Sequence, residues 1–288
     1  MLHGSKTRPR LVDVPLGERT LRLHRFTPET PLHEVPVLCV HGLSANGRGF
    51  DPLARALVGA GHTVVSIDLR GRGHSACTGP GTYGWRAHAR DLIDVVDWLG
   101  VDRVDVVGHS MGAYIGMQLA VTAPSRLRRL VLVDGVGMPE PAAMPKILGS
   151  LQRLSSSYRS FSDYLARVRS VGTIEPWSDD WARYFEYEIE TGASGEVRPR
   201  TSAAAVMEDA LYGSTQDPRV FWPSLRMPTL VVRATRPLGE PGGFIVRASD
   251  CDDLKRLAPD VCVVEVDANH YGVLMHCNTS AAIGGFLA

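Results

Sequence analysis

The run Gly108-His109-Ser110-Met111-Gly112 constrains this chain more than any other feature. Five letters alone are weak evidence in a glycine-rich sequence, but their setting is specific. Arg103–Val107 reads as a buried strand entering the run and Ala113–Ala123 as a helix leaving it, the strand–turn–helix context that G-x-S-x-G requires. So sharp a turn needs glycine two positions either side of the serine, because a Cβ there would collide with the neighbouring strand or helix. The turn exposes the Ser110 hydroxyl. It also points the Met111 N–H, at the helix start, toward a developing oxyanion.

Around this turn, short apolar runs alternate with amphipathic stretches, as in a mostly parallel sheet covered by helices, an α/β fold. Strands are expected at Leu21–Phe26, Val35–Val40, His62–Leu69, Val104–Gly108, Leu130–Asp134, Thr229–Ala234 and Val261–Val266, most rich in the Val, Ile and Leu of strands buried on both faces. Asp51–Ala60 reads as a helix with Asp51 as N-cap ahead of Pro52, and Arg86–Leu99 as one that stops at Gly100. From about Gly137 to Tyr212 the alternation lapses into polar helix formers carrying Tyr158, Phe161, Tyr164, Trp177, Trp181, Tyr184, Phe185 and Tyr187. No strand pattern interrupts it. The segment is too long for a plain connection and reads as a helical insertion over the sheet. Residues 1–136 and 213–288 then form the core and 137–212 a cap, with about a third of the cap aromatics facing a ligand.

Composition narrows the function. The 31 basic residues equal the 31 acidic ones, so no global field draws a nucleic-acid backbone or an anionic membrane, and the expected partner is a small molecule. Five cysteines without a CxxC pair fit a reducing compartment better than a disulfide framework or structural zinc, and no run of about 18 apolar residues occurs. The expectation is a cytoplasmic protein that binds no metal.

A serine nucleophile needs a base. Among ten histidines, His270 stands in the turn Asp267-Ala268-Asn269-His270 that leaves the last strand pattern, and His276, six residues on, is the fallback. A second oxyanion donor is expected from a loop after an early strand. His41-Gly42-Leu43 follows Val35–Val40, with the Leu43 N–H as donor and His41 as a buried hydrogen-bonding residue.

Together, strand-His-Gly, the segment Asp68-Leu69-Arg70-Gly71-Arg72-Gly73-His74-Ser75, Gly-His-Ser-Met-Gly and the late Asn269-His270 resemble the α/β-hydrolase superfamily over nearly the whole chain. The resemblance implies an eight-stranded-type, mostly parallel sheet with a helical cap, a structural role for the Asp68–Ser75 loop, and a triad of Ser110, His270 and an acid. The turn after the seventh strand, where that acid usually sits, holds no aspartate. The family's other position, the end of strand six, holds Asp134, 24 residues after Ser110, room for one helix and one strand. Glu240 is the alternative, followed by Asp250, Asp252 and Asp253.

The expected reaction is acyl transfer from an apolar or aromatic ester or lactone to water, with no metal or organic cofactor. A histidine base makes such activity rise with pH through roughly 6–7.5. The same fold also hydrolyses C–C bonds, which here would need Arg153, Arg159 or Arg167 for a substrate carboxylate, or serves as a ligand receptor. Haloalkane and epoxide hydrolysis, which use an aspartate nucleophile, are disfavoured.

Overall fold

The computed structural model describes residues 8–239, 242–258 and 260–288. In chain order the sheet strands are β1 (Arg10–Leu16), β2 (Arg19–Phe26), β3 (Val37–Val40), β4 (Val64–Ile67), β5 (Val104–His109), β6 (Leu127–Val133), β9 (Thr229–Ala234) and β10 (Val261–Val266). They pair as β1-β2-β4-β3-β5-β6-β9-β10, and β2 is antiparallel to both of its neighbours while every other pairing is parallel. The family's eight-stranded sheet is therefore present. Strands β3, β4, β5 and β9 are buried along their whole length, as their near-continuous apolar runs require.

Seven strands occupy the expected segments, with ends shifted by a few residues. The eighth, β1, is an edge strand with a mixed, largely uncovered surface. Its signal was the hairpin turn: Gly17, at φ 65°, closes a two-residue connection between β1 and β2.

Helices α1 (Asp51–Gly59), α2 (Trp85–Leu99), α3 (Met111–Thr122), α8 (Ala248–Leu257), α9 (Gly272–Met275) and α10 (Cys277–Leu287) belong to the strand-bearing part of the chain. Asp51 is the first residue of α1 rather than its cap; Phe50 holds that position, and the Asp51 carboxylate accepts from Arg48 Nε at 2.8 Å. Two apolar clusters, one containing Leu38, Leu92 and Ile115 and the other Phe50, Val131 and Ile283, form the core.

Between β6 and β9 lie α4 (Met144–Leu151), α5 (Phe161–Ser170), α6 (Asp179–Glu188) and α7 (Ala203–Ser214). The segment is not wholly helical: β7 (Ile189–Thr191) and β8 (Val197–Pro199) form a two-stranded antiparallel ribbon. These strands are three residues long, too short to show a period in the sequence. Tyr164, Trp181, Tyr184 and Phe185 anchor a separate apolar cluster here.

The register aligns the strand ends. Val40 lies beside Gly108, His109 beside Val133, Val133 beside Val232, and Ala234 beside Val266. Loops leaving β3, β5, β6 and β10 consequently open at one sheet edge, where ligands of open α/β sheets bind.

Candidate active site

Ser110 sits between β5 and α3 at φ 55°, ψ −120°, a left-handed backbone that a non-glycine residue adopts only when its surroundings impose it. Two features impose it here. The Ser110 N–H donates to Val133 O at 2.9 Å, tying the turn to β6. A Cβ on Gly108 would overlap the Gly112 carbonyl, and one on Gly112 would overlap the Val40 carbonyl of β3, so the helix start is pressed against the sheet as the sequence motif demands.

Asp134 follows β6 directly, is buried, and is the other non-glycine residue with positive φ among the described residues, at 45°. Its carboxylate is divided between two donors: Oδ1 accepts from Ala234 N–H at 3.0 Å and Oδ2 lies 2.8 Å from His270 Nδ1. The first bond fixes the carboxylate plane through β9, and the second orients the imidazole with Nε2 free. His270 reaches this place from a turn built by Asn269, whose Oδ1 accepts from the N–H groups of Tyr271 and Gly272 at 3.1 and 2.9 Å. Its Nδ2 donates to Thr173 O at 3.0 Å.

The remaining acid and base candidates lie elsewhere. His276 accepts from Asn278 N–H and caps α10. Asp250 is held by Arg247 and Asp253 by Arg256, while Asp252 is exposed. Glu240 falls outside the described residues. Ser110 and His270 line one cavity, and their side chains make no mutual hydrogen bond.

The loop after β3 comes close to the serine: a Cβ on Gly42 would lie 3.1 Å from Ser110 Cβ. His41 Nε2 accepts from Leu69 N–H at 3.0 Å, so Nδ1 carries the proton and donates to Gly42 O at 2.7 Å. That bond pins the Gly42–Leu43 peptide by its carbonyl, and the Leu43 N–H points the opposite way. Burial pushes His41 down to about 4, which keeps it neutral in this role. The Met111 N–H belongs to the first turn of α3 and has no intrahelical acceptor.

The Asp68–Ser75 loop underpins these elements. Buried Asp68 accepts from Gly47 N–H, His74 N–H and the Tyr187 hydroxyl at 2.8, 3.0 and 2.6 Å, and its Oδ1 lies 3.1 Å from His24 Nε2. These partners and the His24 imidazole hold the Asp68 carboxyl far below the usual carboxylate range despite its burial.

One neighbour escaped the sequence reading. His109 Nε2–H donates to His270 O at 2.9 Å, and the two rings stack with centroids 4.7 Å apart. Burial and the proximity of His270 hold His109 well below its ordinary pKa, so it adds no positive charge beside His270. It was visible only as the variable letter of the motif.

The cavity has a volume of about 430 Å³ and is walled mainly by aromatic and aliphatic side chains, among them Trp85, Tyr114, Leu148, Trp181, Tyr184 and Phe185. Three of the eight insertion aromatics thus reach it, and Tyr187 instead ties α6 to Asp68. Arg153 also lines it, with its charge met inside the wall: Nη2 lies 2.6 Å from Glu188, and Tyr164 donates its hydroxyl to the same carboxylate. All five cysteines are free, and the described residues hold no group of three metal-ligating side chains. Among the described residues, no helix is long and apolar enough to cross a membrane.

The family model for the α/β-hydrolase fold matches residues 35–276, and the chain belongs to that family. Among curated proteins it is 31% identical to a 3-hydroxybutyrate-oligomer hydrolase of Cupriavidus necator over 172 residues, 57% of either chain. It is 36% identical to RutD of Variovorax paradoxus, a candidate carbamate hydrolase, over 36% of this chain and 39% of that one. The matched region thus spans roughly two fifths to three fifths of these relatives. Among solved structures, E-2-(acetamidomethylene)succinate hydrolase superposes with a TM-score of 0.83 at 24% identity, covering 97% of this chain and 99% of that one. The enol-lactonase of Burkholderia xenovorans gives 0.69 at 19% over 96% and 99%. At these identities the structural likeness speaks to fold.

Proposed function

We propose that this chain is a serine hydrolase that cleaves a carboxylic ester or lactone of an apolar or aromatic small molecule. The observation that carries the reading is the buried Asp134–His270 pair at 2.8 Å, opening onto the cavity in which the strained turn presents Ser110. His270 Nε2 takes the hydroxyl proton as Ser110 Oγ bonds to the carbonyl carbon and the C=O electron pair moves onto oxygen. The Leu43 and Met111 N–H groups hold that oxyanion. Its collapse breaks the C–O bond, and the leaving alkoxide takes the proton from His270. Water then repeats the sequence on the acyl-enzyme, releasing the acid and restoring Ser110. Asp134 stabilises the charged imidazole and keeps its tautomer, and none of these steps calls for a metal or organic cofactor.

The apolar wall supports an apolar acyl or ring. The relative from Cupriavidus necator supports an ester, because 3-hydroxybutyrate oligomers are joined by ester bonds. Hydrolysis of a C–C bond is less well supported: Arg153 is neutralised by Glu188, Arg159 is exposed and faces Asp163, and of the three arginines only Arg167 lines the cavity without an acidic partner among the described residues. Balanced charge and free cysteines support a small-molecule partner and a cytoplasmic setting.

The test is proton release in a pH-stat, wild type against Ser110→Ala, over linear esters, hydroxy-acid oligoesters and lactones of rising size. Release abolished by the substitution is the expected result. Release that survives it refutes the serine mechanism. Failure of a fluorophosphonate to label wild-type Ser110 would favour a ligand receptor.

A further inference from the structure

Arg72 is fully buried, yet its guanidinium is turned toward the loop that carries the second oxyanion donor. Nε and Nη2 both donate to Leu43 O, at 3.1 and 3.0 Å, and Nη1 donates to Arg70 O at 2.9 Å. Nη2 also lies 2.6 Å from Asp209 Oδ2, in a pair whose side chains are both completely shielded from solvent. Asp209 belongs to α7, in the insertion, and is itself fixed at the start of α2: Gly84 N–H donates to it at 2.6 Å and His88 Nε2 lies 2.9 Å away. A cation buried so deeply requires its counter-charge, and Asp209 supplies it. Removing that carboxylate removes the group that holds the guanidinium fork against Leu43.

The consequence is local and geometric. Leu43 lies between two peptide groups, and each is held by its carbonyl: Gly42 O by His41 and Leu43 O by Arg72. With both peptide planes fixed, the direction of the Leu43 N–H is fixed as well. We propose that Arg72 is a positioning residue for the oxyanion loop, and that Asp209, held on α7, couples the seating of the insertion to the aim of the Leu43 N–H. This rests on the serine-hydrolase reading of the site. It makes oxyanion stabilisation depend on a side chain from the part of the chain that also walls the cavity.

The test uses three probes on the full chain. An alkyl fluorophosphonate reports the rate of covalent capture by Ser110. An alkyl trifluoromethyl ketone reports binding of a tetrahedral oxyanion, since Ser110 Oγ adds to its carbonyl and the Oγ proton passes to His270. The matching secondary alcohol fills the same cavity and forms no oxyanion. The double variant Arg72→Met/Asp209→Asn removes both charges together, so no buried charge is left unpaired while the Leu43 carbonyl loses its donors. It is expected to label about 10- to 100-fold more slowly and to bind the ketone more weakly by a similar factor, part of the 10²–10³ that a lost oxyanion donor typically costs. Its affinity for the alcohol should stay within about twofold. The single variant Asp209→Asn, which still accepts from Gly84, should show a smaller loss in the same direction.

Labelling at the wild-type rate overturns the proposal, and so does equal weakening of ketone and alcohol, which a purely structural pair would produce. Slow labelling in the double variant with no effect of Asp209→Asn overturns the coupling to α7. Absence of wild-type labelling brings down the serine-hydrolase reading itself, and the proposal with it.

Discussion

Replacing Asp134 by asparagine changes one atom and asks what the carboxylate does. One oxygen accepts from Ala234 N–H at 3.0 Å and the other faces His270 Nδ1 at 2.8 Å. An amide has a single oxygen for these two places. If that oxygen stays on Ala234, the NH2 faces Nδ1, the imidazole must accept there, and Nε2 carries the proton, so it cannot take one from Ser110. If the amide turns over, the NH2 opposes the Ala234 N–H and leaves a buried donor unpaired, at about 1–3 kcal/mol. At about 1.4 kcal/mol per tenfold, the productive orientation falls to roughly 1–15% of molecules. Loss of the negative charge beside the developing imidazolium adds to this. The expected fall in kcat is about 10⁴ with little change in KM, the loss typical when a triad aspartate is replaced by asparagine. Steady-state hydrolysis of a p-nitrophenyl ester measures it, with thermal unfolding to show the fold is kept. A variant that retains a tenth or more of wild-type kcat, while Glu240→Gln loses orders of magnitude, would refute the assignment.

Three other outcomes follow from the packing and charge. Gly112→Ala drives a Cβ into the Val40 carbonyl, a backbone atom with little freedom to move; a loss of about 3 kcal/mol is expected, read as a thermal midpoint lower by about 5–10 °C. Arg153→Met strands Glu188 in the cavity wall and should cost about 3–5 kcal/mol in urea unfolding, with Arg153→Met/Glu188→Gln recovering most of it. Acid should destabilise the fold through His41: its folded pKa of about 4 is below the ordinary 6.5, so between these values the unfolded chain binds the extra proton. Stability is full above pH 6.5 and lost as pH falls toward 4, by about 3 kcal/mol for this group, and urea midpoints measured across that range check it.

The sequence made the central sheet legible because β3, β4, β5 and β9 are buried along their whole length and read as near-continuous Val-, Leu- and Ile-rich runs, interrupted only by single residues such as Asp105 and Arg233. The edge strand β1 escaped because its residues answer to solvent as much as to the core, and the ribbon β7–β8 escaped because three residues carry no period. For the candidate site, a local pattern sufficed to place Ser110 on its turn between β5 and α3. Asp134 was proposed from the family resemblance, and its bond to Ala234 arises from pairing across 100 residues that no local pattern encodes. His109 and Arg72 act through backbone carbonyls, and a carbonyl is the same in every residue, so neither partnership leaves a trace in the letters.

The aligned strand ends place Ser110, Asp134 and His270 on loops that leave β5, β6 and β10, whereas much of the cavity wall comes from the chain between β6 and β9. The candidate triad and much of the cavity wall are therefore written in separate stretches of the polypeptide. On the proposed function, grafting another hydrolase's segment between Asp134 and Thr229 would exchange the range of molecules admitted while leaving Ser110, Asp134 and His270 where the sheet holds them. The graft must bring an aspartate to meet Arg72, a hydroxyl to meet Asp68 where Tyr187 now stands, and a backbone carbonyl to receive Asn269, a short set of requirements on an otherwise exchangeable part.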